Sequence, residues 1–382
     1  MHNRIDIVRP DAPSLAARGH HPVGVTTHEI TIYEGRTLTT EIWYPAHADT
    51  VPGTEYPTLT RDGVTPTVLR GSASRNALPA QEGFAPLVVI SHGYPGNRYL
   101  LAHLAESLAA KGYVVAAPDH AGSTYEDQQP FEVTLVHRPL DQRGVIDGMA
   151  QLGGDLGALV NCEKVGLIGY SMGGYGALIM GGAGLAPTAL NHTRAGTDDM
   201  LSRHLLGSGT HAALRDPRLK AIIPIGPWGN GQNMWDAECL AQLDTPMFMM
   251  AGTSDEVSNY RAMRRIFEGA SADRYLLSFQ GAGHNAAAPI PAPAESWPMS
   301  DTLGWHPFAH YADPVWDTLR MNNVAQHFAA AFLGLHLRGE DTLHYLDGTT
   351  WRGFDPGTSV GLVLEYMPAV QRDITSGGGN SR

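Results

Sequence analysis

The sequence predicts an α/β fold, with a mostly parallel central sheet, helices on both faces and antiparallel strands at its N-terminal edge. Three observations lead there. Short, fully apolar runs such as Leu87-Val88-Val89-Ile90 recur along the 382 residues. A run of that kind suits a strand buried on both faces, as strands of parallel sheets are. Helical stretches separate these runs, and strand–helix alternation implies βαβ units. Ahead of them, His28–Tyr33 and Leu38–Tyr44 alternate β-forming residues around a turn bearing Gly35, the pattern of an antiparallel hairpin or meander.

Taken in order, residues 1–20 are irregular and rich in Pro and Ala, and the hairpin follows. Residues 45–86 are rich in Pro, Gly, Thr and Ser and read as surface loop with one short helix. The remaining strands are expected at Pro86–Ser91, Tyr113–Ala117, Val165–Gly169, Ala221–Ile225, Pro246–Ala251 and Arg274–Phe279. Helices are expected at Leu100–Lys111, Asp141–Leu152, Gly174–Met180, Tyr260–Gly269 and, closing the fold, Trp316–Leu335. The run Met247-Phe248-Met249-Met250 reads as strand core. Two stretches break the rhythm, Leu185–Pro217 and Asn285–Pro314. The second carries Trp297, Met299, Trp305, Phe308 and Tyr311 and is expected to form a lid or pocket wall. The organisation is therefore an arm (1–20), one large domain (21–340) with insertions near 185–217 and 285–314, and an extension (341–382). The Gly377-Gly378-Gly379 tail of that extension is expected to be disordered.

Composition narrows the function. Lys and Arg number 26 against 38 Asp and Glu, a net charge of −12. A nucleic-acid binder needs a basic face to neutralise phosphates, and a polybasic membrane-surface protein needs the same sign. Val165–Pro187 has no charged residue, yet its eight glycines exclude a spanning helix and suit a strand, a tight turn and a helix. The start Met1-His2-Asn3-Arg4-Ile5-Asp6 lacks an apolar signal core, so a cytoplasmic setting is expected. Cys162 and Cys239 are then expected as separate free thiols. No His/Cys/Asp cluster has metal-ligand spacing, and no cofactor is expected.

The chemistry centres on Gly169-Tyr170-Ser171-Met172-Gly173. It follows an apolar strand and opens a Gly/Ala-rich helix, the context of a nucleophile elbow. Side chains at 169, 173 or 174 would collide with strand and helix, hence the glycines. The helix N-terminus favours developing negative charge at Ser171. A serine hydroxyl needs a base, and the base an orienting acid. In this chain order the acid comes next and the histidine last. His284, in Gly281-Ala282-Gly283-His284-Asn285 after a late strand, is the expected base. Asp255, four residues past the strand Pro246–Ala251, is the expected acid. Glu256 is its rival, and Asp244 lies before that strand, at the wrong end of the sheet. The oxyanion needs donors, expected to be the amides of Met172 and of Tyr94 in His92-Gly93-Tyr94-Pro95-Gly96-Asn97. His92 is expected to hold that loop, and Asp119 and His120 the loop after Tyr113–Ala117. Gly93, Tyr170 and Trp228 are the candidate substrate contacts.

On these residues the chain resembles α/β-hydrolases of the dienelactone hydrolase and platelet-activating-factor acetylhydrolase-like group. The elbow, the His-Gly-Tyr loop, the Asp255 turn and the Gly283-His284 loop carry the resemblance, over roughly residues 20–340. Pro22-Val23-Gly24-Val25, Glu41-Ile42-Trp43-Tyr44-Pro45 and Pro118-Asp119-His120-Ala121-Gly122 extend it. A second resemblance is to cutinases and polyester hydrolases, through Ser171-Met172, Tyr94 and the Trp228 that follows Ile223-Pro224-Ile225-Gly226-Pro227. Dienelactone hydrolases use a cysteine nucleophile where this chain has Ser171, so their lactone substrate does not carry over. The resemblance implies the α/β-hydrolase fold and a serine carboxylic-ester hydrolase. Its partner would be a small-molecule ester, apolar or aromatic, cleaved through an acyl-enzyme. A lipid acetylhydrolase, amidase or thioesterase would keep the same residues, and a binding protein on this scaffold would not need them.

Overall fold

The computed structural model describes residues 2–81, 83–192 and 198–370. Its strands in chain order are β1 (Val23–Thr31), β2 (Thr37–Pro45), β3 (Thr54–Leu59), β4 (Pro66–Gly71), β5 (Ser74–Arg75) and β6 (Ala85–Ser91). They continue with β7 (Val114–Pro118), β8 (Val160–Tyr170), β9 (Leu219–Ile225), β10 (Met247–Gly252), β11 (Arg274–Phe279) and β12 (Leu362–Met367). The α-helices are α1 (Ala102–Ala110), α2 (Phe131–Ala150), α3 (Gly154–Leu159), α4 (Met172–Met180), α5 (Asp198–Leu201), α6 (Gly209–Leu214), α7 (Ala237–Ala241), α8 (Tyr260–Gly269) and α9 (Thr318–Leu333).

Ten strands form one sheet in the order β12-β11-β10-β9-β8-β6-β7-β2-β1-β5. The six from β6 to β11 run parallel, while β2 and β12 join them antiparallel and β1 pairs antiparallel with β2. The apolar run of β6 shows why both faces are buried. Successive strand residues point to opposite sides. Val88 and Ile90 join a core with Leu104 of α1 and Phe328 of α9. Leu87 and Val89 join another with Ile146 of α2, Tyr175 of α4 and Phe267 of α8. Every side chain of the strand is therefore removed from water, worth about 1.5–3 kcal/mol for each large apolar one.

Several elements differ from the sequence reading, and helices α3, α6 and α7 have no counterpart in it. Among the described residues of 45–86 there is no α-helix; they include the β3–β4 hairpin and the short β5, which pairs with β1. Tyr56 of β3 faces inward, taking a hydrogen bond from Trp43 Nε1 at 2.9 Å and giving one to Glu106 Oε1 at 2.5 Å. Helix α2 starts at Phe131, ten residues before the expected Asp141, and carries Pro139 inside it. Strand β12 had no counterpart in the sequence reading. The hairpin β1–β2, the strand–turn–helix of 165–187 and the closing helix α9 lie where expected within a few residues. Of the insertion near 185–217, residues 193–197 fall outside the described residues, as does the Gly377–Gly379 tail. Among the described residues no helix is long and apolar enough to cross a membrane.

Candidate active site

The site forms where β8 turns sharply into α4. Ser171 has φ 53° and ψ −110°, in the half of conformational space that non-glycine residues avoid. Such a conformation costs on the order of 1–3 kcal/mol and persists only where its surroundings impose it. Here the Ser171 amide donates to the Ile225 carbonyl at 2.9 Å, and its own carbonyl accepts from the Trp228 amide at 3.1 Å. The neighbouring glycines are sterically required. A Cβ on Gly169 would lie 2.2 Å from the Gly173 carbonyl oxygen, and one on Gly173 would lie 2.0 Å from that of Ser91.

The loop after β11 brings His284 to the elbow. Its Nε2 lies 3.0 Å from Ser171 Oγ, and its Nδ1 lies 2.8 Å from Asp255 Oδ2. Asp255 follows β10, and its side chain is wholly buried. Its second oxygen accepts the amides of Val257 and Ser258, both at 2.8 Å, which fixes the plane of the carboxylate. A proton on His284 Nδ1, directed at that carboxylate, leaves Nε2 free to accept the serine proton. Glu256 points into solvent, and Asp244 lies before β10, paired with Arg215.

Asp313 and Asn285, given no role from sequence, and Tyr170, expected as a substrate contact, hold the histidine loop. The Gly283 amide donates to Asp313 Oδ2 at 2.7 Å. Asn285 Nδ2 donates to the carbonyls of Ala309 and Ala312, tying the start of the stretch 285–314 to its end. The Tyr170 hydroxyl donates to Asn285 Oδ1 at 3.1 Å, and its ring lies 5.2 Å from that of His284. Tyr170 is 3% exposed, so it supports the histidine loop from beneath.

The loop after β6 passes against the elbow. A Cβ on Gly93 would sit 3.2 Å from the Tyr170 ring and 3.3 Å from Ser171 Cβ, so glycine permits the approach. Met172, buried, is the first residue of α4, and Tyr94 is the next residue of the loop. His92 is buried; its Nδ1 meets the Gly93 carbonyl at 2.7 Å and its Nε2 accepts the His120 amide at 3.1 Å. Burial pushes both His92 and His120 well below the usual imidazole range, in keeping with a His92 ring whose Nε2 accepts a backbone amide. Asp119 accepts the Arg98 amide at 2.7 Å and also pairs with its guanidinium.

One flank is aromatic. Trp228 packs edge-on against Phe131 with ring centroids 4.8 Å apart, and Phe131 packs edge-on against Tyr94 at 5.1 Å. All three are partly exposed. Phe131 escaped the sequence reading because it sits in the first turn of a helix expected to begin ten residues later. Cys162 and Cys239 are free and buried, and burial pushes the two thiols up to about 11 and about 12. Burial thus favours the protonated thiol at both positions. Among the described residues no group of three or more His, Cys, Asp or Glu is placed to hold a metal ion.

The family described as the alpha/beta hydrolase fold matches residues 86–183, which run from β6 through the elbow and α4. A ferulic acid esterase from Streptomyces cinnamoneus is similar in structure, with a TM-score of 0.56 at 20% sequence identity over 89% of this chain and 94% of that one. No curated protein matches the sequence. The strand order, the elbow and both similarities agree: this chain has the alpha/beta hydrolase fold.

Proposed function

We propose that the protein is a serine carboxylic-ester hydrolase. The observation that carries this reading is the continuous hydrogen-bonded chain Ser171–His284–Asp255 at a strained strand–helix turn. Ser171 Oγ attacks the ester carbonyl while His284 Nε2 takes its proton. The tetrahedral oxyanion is met by the amides of Met172 and Tyr94, and α4 adds the field of its N-terminus. His284 then protonates the departing alcohol, leaving Ser171 acylated. A water, deprotonated by His284, attacks the acyl group; the acid leaves and the proton returns to Ser171. Asp255 keeps the imidazole in the reactive tautomer and balances its charge when protonated.

The flank of Tyr94, Phe131 and Trp228 favours esters with an apolar or aromatic part. That a protein of similar fold is a ferulic acid esterase is in keeping with an aromatic ester. The test is hydrolysis of p-nitrophenyl esters of graded acyl length, of aromatic esters, and of the matching amides and thioesters. Turnover of esters well above that of amides and thioesters supports the reading; the reverse order overturns the ester assignment.

Trp228 allows a sharper test, because a bulky aromatic group has more apolar surface to set against a partly exposed ring than an acetate has. Trp228→Ala is expected to lower kcat/KM for an aromatic ester by about 10–200-fold, or about 1–3 kcal/mol, and to change an acetate ester far less. A uniform drop, or none, would make Trp228 a packing residue.

A further inference from the structure

Helix α2 sends polar side chains into the space behind the elbow, and the strangest of them is Arg138. Arg138 is 1% exposed, yet among the described residues no carboxylate lies within ion-pair distance of its guanidinium. A buried cation without a direct counter-ion is costly and calls for a reason. Its nitrogens end on the oxyanion-side loops: Nη1 donates to the His92 carbonyl and Nη2 to the Ser123 hydroxyl.

The next link matters for chemistry. His92 Nδ1 donates to the Gly93 carbonyl at 2.7 Å, and that carbonyl belongs to the peptide unit whose N–H is the Tyr94 amide. The His92 ring is itself fixed by the His120 amide at 3.1 Å. Two neighbouring peptide planes, ending at Tyr94 N–H, are thus set by one guanidinium and one imidazole. On the elbow side, Gln142 Nε2 donates to the Gly173 carbonyl and to Ser91 Oγ, both at 2.9 Å. Both elements that supply the proposed oxyanion donors are therefore braced from α2.

Asp141 completes the group. It accepts from Arg36 at 2.9 Å and from His120 Nδ1 at 3.1 Å, while His120 Nε2 accepts from Ser91 Oγ at 2.8 Å. Ser91, His120 and Asp141 repeat the residue types of the active site, but none is more than 1% exposed, so they hold and do not react. Asp141 thus holds Arg36 and His120 directly and acts on Arg138 only from a distance, so the Arg138 guanidinium stands as a buried positive charge behind the loop.

We propose that Arg138 is a positioning residue of the oxyanion site: it orients the His92–Tyr94 peptides and places a buried positive charge behind them. This rests on the serine-hydrolase reading above. The test uses the full chain with Arg138→Met, Arg138→Lys and Ser123→Ala. For each, kcat and KM are measured on a p-nitrophenyl ester, alongside the Ki of an arylboronic acid that forms a tetrahedral adduct with Ser171.

Arg138→Met is expected to lower kcat about 30-fold, part of the roughly 10²–10³ that loss of an oxyanion donor costs. The boronate Ki should rise in proportion, while KM stays within about threefold, since the loss falls on the tetrahedral state. Arg138→Lys, keeping the charge but not the fork, should fall between wild type and Arg138→Met. Ser123→Ala, a smaller change that keeps the packing, should lower kcat about threefold to tenfold with a matching change in Ki, the net effect of losing one ordinary hydrogen bond. If Arg138→Met fails to fold, Ser123→Ala decides. A folded Arg138→Met, or a Ser123→Ala, with unchanged kcat and Ki overturns the inference. Wild type that cleaves no ester and takes up no fluorophosphonate overturns the hydrolase reading instead.

Discussion

Ser171→Ala is expected to lower kcat by about 10⁶-fold, the usual consequence of removing the nucleophile of a hydrogen-bonded catalytic group that acts as a unit. The fold should survive. Among the described residues the Ser171 side chain bonds His284 Nε2 alone, whereas the elbow is held by backbone contacts to Ile225 and Trp228 that alanine keeps. The check is kcat on a p-nitrophenyl ester together with the melting temperature. Retention of more than about a hundredth of wild-type activity would place the nucleophile elsewhere.

Asp255→Asn should be the next most damaging change, lowering kcat by about 10⁴-fold, as the same exchange does in a serine protease. Asparagine can still accept the amides of Val257 and Ser258, so the turn should hold its shape. What it loses is the charge, and its amide favours the imidazole tautomer with the proton on Nε2, which cannot accept from Ser171. Glu256 is exposed and His284 Nδ1 is bonded to Asp255, so Glu256→Gln should leave kcat within about twofold of wild type, as surface substitutions usually do. Equal effects at the two positions would move the acid to Glu256.

The sequence made the centre of this fold legible for local reasons. Apolar runs such as Leu87–Ile90 need both faces covered, and the glycines at 169 and 173 are imposed by contacts under 2.5 Å. Strand ends therefore marked Ser171, Asp255 and His284, which the structure brings together. The periphery was less legible. The β3–β4 hairpin buries Tyr56 and Leu69 opposite one another among Thr, Pro and Glu, so its period is visible only once the partner strand is known. The first turns of α2 were hidden by Pro139 and by Arg138, a charge at a buried position. Phe131, Asn285 and Asp313 join the site through tertiary contacts between distant segments, which no local pattern encodes.

The central claim is that Ser171 is an activated nucleophile in an accessible site. Incubation with a fluorophosphonate, followed by intact mass and peptide mapping, tests it directly. One adduct per chain, located on Ser171 and lost in both Ser171→Ala and His284→Ala, is the predicted result. No adduct, or an adduct on another residue, would contradict it.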